Sequence, residues 1–405
     1  MQTDQVIFRD DLYPRFEPNQ AAIQKYANSI EFLPPIKVNQ SNILIDGFHR
    51  WKAHQLAGET EIRADVVETK SEKELKRLAY HLNSIHGLQL TTDEKQRYAQ
   101  EMIGEMSVAE LAAILSISES TIKNWTSSQR KAIEDETNRR IIDLYLQCYT
   151  QEQIAEIVGV DRSAITRKIE NFVQNGSFVE MHKTFQPLLY NIWNLQKQDN
   201  AVDSHFGSFP QLFMENLLWY HTQPFDIVFD PFAGGGTTVD ACRKLYRRYW
   251  CSDRIVKPGR EKHIHQHDIA SGLPEAMPKP KFVFLDPPYW KQAEGMYSKD
   301  AEDLGNMDLE KFNASMQALI GELCKWKIES IAIVIQPTQY KNNMVLVDHI
   351  FDFAEMFTDN YSITMRYILP YSTQQYNAQM VDRAKAENKC LALNRDLVVW
   401  KLKGM

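Results

Sequence analysis

DIVFDPFAGGGTT at residues 226–238 and FVFLDPPYW at residues 282–290 decide the fold of the C-terminal part of this 405-residue chain. Each stretch contains an apolar run, which is typical of a buried parallel strand. Each run ends in a carboxylate followed by proline, at Asp230 and at Asp286. Ligands of open α/β sheets bind outside the carboxyl ends of the strands. We therefore expect the two carboxylates at one edge of one sheet, facing the same crevice.

Two further carboxylates follow the next apolar runs and extend this pattern. Asp253 stands 23 residues after Asp230, where an acidic residue can accept hydrogen bonds from both hydroxyls of a ribose. Asp268 follows a third run and could accept from an adenine amino group. Between Asp230 and Asp253, a glycine loop comes directly before a predicted helix. A glycine loop alone is a weak signal, but this context favours a pocket for an adenosine-containing cofactor.

The glycine loop and the DPPY stretch resemble motif I and motif IV of the S-adenosylmethionine-dependent amino-methyltransferases of DNA. SHFGSFPQLFMENLLWYH at 204–221 resembles the family segment that packs under the methionine end of the cofactor. The resemblance implies S-adenosyl-L-methionine as cofactor. It implies these cofactor-binding residues: Phe209, Pro210, Asp230, Pro231, Phe232, Gly234, Gly236, Thr237, Thr238, Asp253 and Asp268.

The resemblance also implies the catalytic residues, which are Asp286, Pro287, Pro288 and Tyr289. An exocyclic base amine is a poor nucleophile because its lone pair is delocalised into the ring. The Asp286 carboxylate and the Pro287 carbonyl could accept its two hydrogens and turn the lone pair toward the methyl group. Tyr289 would stack on a base rotated out of the duplex. Asp at the first motif position favours adenine N6 over cytosine N4, and the chemistry requires no metal.

The middle of the chain contains two helix-turn-helix patterns, at 106–131 and 149–172. In the second, Gly159 lies in the turn and the recognition helix is expected to begin near Asp161. Its polar residues are of the types that reach bases and phosphates from the major groove. These DNA-binding candidates are Arg162, Ser163, Thr166, Arg167 and Lys168. The alternative is that such helical units only pack together or bind protein.

The N-terminal part contains NILIDGFHRWKAHQLAG at 42–58, which resembles the N-terminal domain of the ParB and sulfiredoxin families. The family loop has a Gly-x-x-Arg core and binds nucleotide phosphates, which implies Gly47, His49 and Arg50 as nucleotide-binding candidates. The alternative is that Arg50 only holds the domain together. Sulfiredoxin chemistry needs a cysteine in this loop, where Phe48 stands.

Together these motifs predict a multidomain chain with three parts. An α+β ParB-like domain with short strands such as VIF and IKV is expected at 1–97. An all-α helix-turn-helix region is expected at 98–180, and an α/β Rossmann-like methyltransferase domain at 188–405 with a last antiparallel strand. Polar stretches at 291–307 and 371–389 are expected to be loops over the crevice.

Composition limits the partners and the compartment. No run approaches the ~18 apolar residues of a membrane helix, and the five cysteines lack metal-ligand spacing. We therefore expect a cytoplasmic protein without a membrane partner. The net charge of −7 means that double-stranded DNA must be held by local basic patches. One candidate patch consists of Arg243, Lys244, Arg247, Arg248 and Arg254. A homodimer is compatible with the sequence.

Three functions remain open at this point. The motifs favour a site-specific DNA methyltransferase. A ParB-like DNA-binding or partition protein with an inactive methylase domain would bind DNA without methylating it. An RNA amine methyltransferase would share the DPPY stretch, but helix-turn-helix units are typical of proteins that bind duplex DNA.

Overall fold

The computed structural model describes the chain except for residues 14, 16, 86–89, 177–182, 196–208, 293, 296–298, 340–342, 372–375 and 405. The chain divides into two compact units, Met1–Thr137 and Asn138–Met405. The border falls inside the predicted helix-turn-helix region, so the two helix pairs of that region belong to different units. The division into three domains stays a prediction.

The first unit contains a small sheet with the strand order β2-β1-β3. Its strands are β1 (Ile36–Val38), β2 (Leu44–Asp46) and β3 (Ala64–Val66). β1 pairs antiparallel with β2 and parallel with β3. The predicted strand VIF at 6–8 forms only an isolated bridge, from Ile7 to Ile43, because the paired segment is too short for a ladder.

Six α-helices of the described residues lie wholly in the first unit, and a seventh crosses its border. They are α1 (Gln20–Ala27), α2 (Phe48–Leu56), α3 (Glu72–Ile85), α4 (Thr92–Met102), α5 (Val108–Leu115), α6 (Glu119–Trp125) and α7 (Ser127–Leu146). α5 and α6 occupy the first predicted helix-turn-helix motif. α5 begins with a capping box between Ser107 and Glu110, and Ser118 caps α6.

The second unit begins with the end of α7, followed by α8 (Gln151–Val158) and α9 (Arg162–Asn175). Four buried isoleucines hold this group together: Ile141, Ile154, Ile165 and Ile169. Gly159 ends α8 with a φ of +72°, a conformation that glycine adopts without strain. Asp161 accepts a hydrogen bond from Ser163 N and caps α9. The turn and the start of α9 lie where the sequence predicts them, and α9 ends at Asn175, beyond the predicted motif end at 172.

A seven-stranded sheet forms the centre of the second unit, with the strand order β6-β5-β4-β7-β8-β10-β9. Its strands are β4 (Ile227–Asp230), β5 (Arg248–Asp253), β6 (Ile264–Gln266), β7 (Phe282–Leu285), β8 (Ser330–Ile335), β9 (Tyr361–Pro370) and β10 (Asn394–Leu402). β4 to β8 are parallel to one another. β10 is antiparallel, as predicted, and it lies between β8 and β9.

The strand order reverses direction between β4 and β7. From β4 the chain adds β5 and then β6 on one side, and it returns to add β7 and β8 on the other. Adjacent loops at such a switch point leave the sheet in opposite directions and open a crevice at the carboxyl ends of the strands. Asp230 ends β4 and Asp286 follows β7, so both predicted carboxylates lie at this switch point.

Helices cover both faces of the sheet, which explains why the central strands β7 and β8 are buried throughout. The helices of this part of the chain are α10 (Gln211–His221), α11 (Thr237–Lys244), α12 (Leu309–Lys325), α13 (His349–Met356) and α14 (Ala378–Ala386). α10 and α11 contribute to the core on one face, and α12 and α13 to the core on the other. In β4, Val228 belongs to the first core and Phe229 to the second, as the alternation of a strand requires.

The predicted loop at 371–389 contains a helix. α14 begins after Asn377, whose side chain accepts a hydrogen bond from Met380 N. Ala384 is the one fully buried residue of this helix, so its apolar face is narrow, and such a polar sequence is easily taken for a loop. Among the described residues, no helix is long and apolar enough to cross a membrane.

Arg247 provides a test of how the second unit is held together. It is fully buried, and its guanidinium donates to Thr222 Oγ1, the Leu245 carbonyl and the Thr222 carbonyl at 2.7–2.9 Å. Arg247→Met should keep the packing and leave these acceptors unpaired, lowering the free energy of unfolding by about 2–4 kcal/mol in urea denaturation. Arg383→Met, on the surface helix α14, should change it by no more than ~0.5 kcal/mol. Equal effects of the two substitutions would contradict this account.

Candidate functional site

Asp230 organises the glycine loop from inside the protein. Its side chain is 2% exposed and accepts hydrogen bonds from Phe232 N at 2.9 Å and from Thr238 Oγ1 at 2.5 Å. Burial raises the pKa of Asp230 to about 7. These two bonds show that Asp230 shapes the glycine loop. A direct contact between its carboxylate and a cofactor stays a prediction.

The loop itself runs from Pro231, which is buried, to the start of α11. Gly234 and Gly236 have φ values of +49° and +88°, in the region that glycine adopts most readily. Gly236 is the residue before Thr237, where α11 begins, and a Cβ on it would lie 3.1 Å from the Arg260 guanidinium. The absence of a side chain at Gly236 therefore allows the close approach of Arg260, which pairs with Asp240 at 2.8 Å.

Asp253 lies at the end of β5, next to the glycine loop. Its carboxylate accepts hydrogen bonds from Gly234 N at 2.8 Å and from Ile255 N at 3.0 Å. Burial raises the pKa of Asp253. The side chain is only half-buried, so its remaining lone pairs are open to ribose hydroxyls, as predicted.

Asp268 follows β6 at the same edge but is exposed. It accepts a hydrogen bond from Ala270 N at 3.0 Å and forms an ion pair with Arg254 at 3.3 Å. Arg254 also pairs with Asp300. The four predicted carboxylates thus follow four neighbouring strands, but they differ in burial, from the buried Asp230 to the exposed Asp268.

The DPPY loop after β7 is held by two segments, one just before α12 and one that follows β8. Trp290 is buried, and its indole N–H donates to the Met307 carbonyl at 3.0 Å. Thr338 Oγ1 donates to the Trp290 carbonyl at 3.0 Å. Pro287 is buried and Pro288 half-buried, so the loop has little freedom to move.

Asp286 and Tyr289 contribute a carboxyl and a hydroxyl group to the DPPY loop. Burial raises the pKa of Asp286 to about 7, against the opposing effects of Arg395 and of the Tyr289 hydroxyl. The Tyr289 hydroxyl is buried and makes no hydrogen bond of good geometry with any described residue. Buried polar groups are nearly always paired, so an unpaired one at a crevice is suited to a ligand.

Phe209 and Pro210 lie just before α10, and residues 204–208 of the predicted cofactor segment fall outside the described residues. The Phe209 ring is buried and stacks on Phe213 with 4.3 Å between ring centroids. The Arg395 guanidinium lies 3.8 Å from the Phe209 ring centroid.

Arg395 and Tyr371 are site residues that the sequence analysis did not identify. The Arg395 guanidinium lies 4.9 Å from the Tyr371 ring centroid, and the Tyr371 hydroxyl donates to Gln336 Oε1 at 2.5 Å. The sequence feature that could have identified Arg395 is its position just before the apolar run LVVW, in the strand NRDLVVW at 394–400. Its neighbours come from distant parts of the chain, which the sequence does not bring together.

The DNA-binding candidates on α9 have different surroundings. Lys168 Nζ donates to Asn138 Oδ1 at 2.6 Å, and Thr166 Oγ1 donates to Gln151 Oε1 at 2.7 Å. Arg162 pairs with Glu152 at 3.0 Å, and Ser163 donates to Asp161 Oδ1 at 2.5 Å. Arg167 is exposed and has no partner among the described residues.

The predicted basic patch beside the crevice is wrong for Arg247, and its other members make contacts within the protein. Arg247 is fully buried and cannot reach a phosphate. The Arg248 guanidinium donates to the Tyr145 carbonyl at 3.1 Å and stacks on the Tyr145 ring. Arg243 pairs with Asp143 at 2.8 Å, and Lys244 pairs with Glu215 at 2.7 Å. These bonds position α7 and α10 on the sheet.

In the N-terminal loop, Arg50 and His49 are both engaged within the first unit. Arg50 donates to the Pro35 carbonyl at 2.7 Å and to Asp46 at 2.8 Å. His49 Nε2 accepts from Asn19 N at 3.0 Å, and burial lowers the pKa of His49 to about 4. Gly47 has a φ of +103° and allows the close approach of Ile36, which a Cβ would meet at 2.7 Å.

Two family models match parts of the chain. The model described as ParB N-terminal domain matches residues 4–82, and the model described as DNA methylase matches residues 91–257. The chain thus carries a ParB-like N-terminal domain and a DNA methylase region, as the motifs predicted. The DNA methylase match includes the glycine loop and ends before Asp286. No curated protein matches the chain.

Similar solved structures include a ParB protein and two methyltransferases. The C-terminally truncated ParB from Caulobacter crescentus, complexed to the centromeric parS site, is 17% identical over 40% of this chain and 94% of its own, with a TM-score of 0.26. Precorrin-6y C5,15-methyltransferase from Geobacter metallireducens is 13% identical over 48% and 86%, with a TM-score of 0.29. Geranyl diphosphate C-methyltransferase from Streptomyces coelicolor is 11% identical over 56% and 97%, with a TM-score of 0.30.

Gly236→Ala tests whether the glycine loop holds a cofactor. The new methyl group would strain the positive φ and meet the Arg260 side chain, so the glycine loop should shift and S-adenosylmethionine affinity should fall about tenfold or more in calorimetry. Gly58→Ala is the control, because Gly58 lies in the first unit and also has a positive φ (+77°), but a Cβ on it would meet no atom within 4 Å. The positive φ alone should cost each variant about 1 kcal/mol of stability. Unchanged affinity in Gly236→Ala would contradict the assignment.

Arg50→Ala tests whether this arginine holds its domain together. Its carbonyl and carboxylate partners are left unpaired, so the first unit should lose about 2–3 kcal/mol of unfolding free energy. Lys25→Ala removes the same charge from an exposed position on α1 and should have little effect in the same thermal unfolding experiment. A stability of Arg50→Ala equal to that of the parent would favour a role in ligand binding.

Proposed function

We propose that this chain is a site-specific DNA methyltransferase that transfers a methyl group from S-adenosyl-L-methionine to an exocyclic base amine, adenine N6. The observation that carries the proposal is the placement of Asp286 and the glycine loop at one switch point. They follow the adjacent strands β7 and β4, where open α/β sheets bind their ligands. The DNA methylase match over residues 91–257 supports the same function.

The residues at this edge suit the cofactor. Gly234 and Gly236 give the loop its turn before α11, and the half-buried Asp253 has lone pairs left for ribose hydroxyls. The buried Phe209 would lie below the methionine end, as the family resemblance implies. When bound, the cofactor supplies a methyl group on a sulfonium centre. The protein has to place an amine in line with that methyl group and keep water out.

Asp286 and its loop would activate the amine. The carboxylate accepts one amine hydrogen and the Pro287 carbonyl accepts the other, so the lone pair turns out of the plane of the base. Tyr289 stacks on the base, which leaves the duplex to reach a site at the end of a strand. This role requires Asp286 to be ionised, which links the reaction to the pKa of about 7 of this carboxyl.

DNA would be read by the second helix pair. α9 begins with a capped turn and exposes Arg162, Ser163 and Arg167, which suit a major groove. Phe172 on α9 contacts Tyr246 with 5.4 Å between ring centroids, so α9 is packed on the same unit as the catalytic sheet. Nucleotide binding at Gly47 to Arg50 is not part of the proposal, because Arg50 and His49 serve contacts inside the first unit.

Asp286→Asn tests the proposal with little change of shape. We expect modified-base long-read sequencing of DNA from a methylation-free host to show N6-methyladenine in one sequence motif with the parent chain. Asparagine keeps one acceptor oxygen but loses the negative charge that stabilises the developing positive charge on the amine, so methylation should fall at least about a hundredfold. Asp359→Asn, an exposed surface change, should methylate like the parent.

Other outcomes of this experiment would distinguish the alternative functions. Methylation that persists in Asp286→Asn would contradict the role of the carboxylate. No methylation by a folded parent that binds S-adenosylmethionine and DNA would favour a ParB-like DNA-binding protein. Methylated RNA without methylated DNA would favour an RNA amine methyltransferase.

A further inference from the structure

His349 is a fully buried histidine at the start of α13. Asp348 caps this helix by accepting a hydrogen bond from Ile350 N at 3.2 Å. The His349 ring is 0% exposed and lies among aromatic side chains, with 5.5 Å between its centroid and that of Phe312. A polar ring in such surroundings needs a hydrogen-bond partner, because burying an unpaired polar group is unfavourable.

The partner of His349 is Thr338, which follows β8. The His349 Nε2 atom lies 3.1 Å from Thr338 Oγ1, and the same hydroxyl oxygen lies 3.0 Å from the Trp290 carbonyl oxygen. Thr338 is also 0% exposed, and its backbone exchanges two hydrogen bonds with Val347, at 3.0 Å and 2.8 Å. The hydroxyl is therefore held at a fixed place between α13 and the DPPY loop.

The number of protons gives the direction of both hydrogen bonds. A threonine hydroxyl has one proton, and a carbonyl can only accept, so Thr338 donates to Trp290 and accepts from His349 Nε2–H. Burial lowers the pKa of His349 to about 4, so the ring is neutral and has one N–H group. The Nδ1 atom has no hydrogen-bond partner among the described residues. A proton on Nδ1 would be a buried donor without an acceptor, which proteins avoid more strictly than an unpaired acceptor.

The Trp290 carbonyl is the point where this chain of hydrogen bonds reaches the DPPY loop. Trp290 directly follows Tyr289 and stands four residues after Asp286. The two prolines between them have fixed φ angles, so a shift at Trp290 is carried back along the loop. The same carbonyl accepts from Gln292 N at 2.7 Å, and Gln292 Nε2 donates to the Pro337 carbonyl at 2.9 Å. The segment after β8 thus holds the loop at two neighbouring places.

We propose that Thr338 and His349 are positioning residues of the methyl-transfer site, which fix the DPPY loop through the Trp290 carbonyl. Thr338 binds this carbonyl directly. His349 acts through Thr338, because its N–H group holds the threonine hydroxyl in the donating orientation. The inference rests on the proposed methyl transfer for its effect on the rate, whereas the hydrogen bonds and the place of the loop can be measured without turnover.

NMR on protein labelled with ¹⁵N in its histidine rings locates the proton of His349. The chain has 11 histidines, and the signals that are missing in His349→Gln identify the ring. At about pH 7, we expect the proton on Nε2 and none on Nδ1. A proton on Nδ1 in the parent would overturn the inference, because Thr338 would then donate to the ring and not to Trp290.

Protein labelled with 5-fluorotryptophan reports the place of the loop. The ¹⁹F signal that is missing in Trp290→Phe identifies this residue among the eight tryptophans. The signal should shift in Thr338→Val, which removes the hydroxyl, and should stay near its parent position in Thr338→Ser, which keeps it. Thr364→Val is the matched control, because it removes a hydroxyl that also donates to a carbonyl, that of Val399 at 3.2 Å, on the edge strand β9.

Kinetics on the same variants use radiolabelled S-adenosylmethionine and unmethylated genomic DNA. In Thr338→Val, kcat should fall about tenfold or more, because the reacting groups are misplaced. The KM for S-adenosylmethionine should stay within about twofold, since the glycine loop is unchanged. Thr338→Ser should recover kcat to within about threefold of the parent, and Thr364→Val should equal the parent.

A double variant tests whether His349 acts through Thr338. His349→Phe keeps an aromatic ring and removes the N–H donor, so kcat should fall by less than in Thr338→Val. Added to Thr338→Val, it should cause no further loss, since residues that act in series are not additive. His349→Gln, whose amide can donate in place of Nε2, should recover most of the rate.

Three further results would overturn the inference. The first is a parent-like kcat in Thr338→Val, and the second is a Thr338→Ser variant as slow as Thr338→Val. The third is a full additional loss in the double variant. An inactive parent with the proton on Nε2, and with a Trp290 signal that responds to Thr338→Val alone, would support the positioning of the loop and contradict the proposed function.

Discussion

The site depends on two carboxylates at the ends of adjacent parallel strands, the buried Asp230 and the half-buried Asp286. Taking two like charges out of water is unfavourable, and burial raises the pKa of each carboxyl to about 7. The protein offsets this for Asp230 with the Phe232 N–H and the Thr238 hydroxyl. For Asp286 it uses the charge of Arg395. Asp230 thereby positions the glycine loop, whereas the DPPY loop is held through Trp290.

The second helix pair belongs to the same unit as this site. Leu146 at the end of α7 is part of the sheet core, and the Arg248 guanidinium stacks on Tyr145. Residues that look available for phosphates in the sequence, such as Arg243 and Lys244, are used to fix these helices. The proposed DNA reader and the proposed catalytic loop are therefore parts of one packed body, and the ParB-like domain belongs to the other unit.

The sequence predicted the parts of the fold that local patterns determine. Apolar runs ending in aspartate located β4 and β7, and Gly159 with Asp161 located the turn before α9. It did not predict what depends on distant contacts. The burial of Arg247 and the place of Arg395 beside Phe209 arise from packing between segments far apart in the chain. The helix α14 was missed because its apolar face is narrow.

The different roles of the carboxylates could be assigned only from the structure. The sequence presents Asp230, Asp253 and Asp268 as equivalent residues after successive strands. In the fold, Asp230 is buried and shapes the loop, Asp253 is half-buried, and Asp268 is exposed. Spacing along the chain fixes which edge of the sheet a residue occupies, whereas its depth depends on the loops that cover that edge.

Mass spectrometry of nucleosides tests the central claim most directly. The purified chain is incubated with unmethylated duplex DNA and S-adenosylmethionine carrying a deuterated methyl group, and the DNA is then digested to nucleosides. The account predicts deuterated N6-methyldeoxyadenosine in amounts that grow with time. DNA without any deuterated methyl group, from a folded protein that binds both the DNA and S-adenosylmethionine, would contradict it.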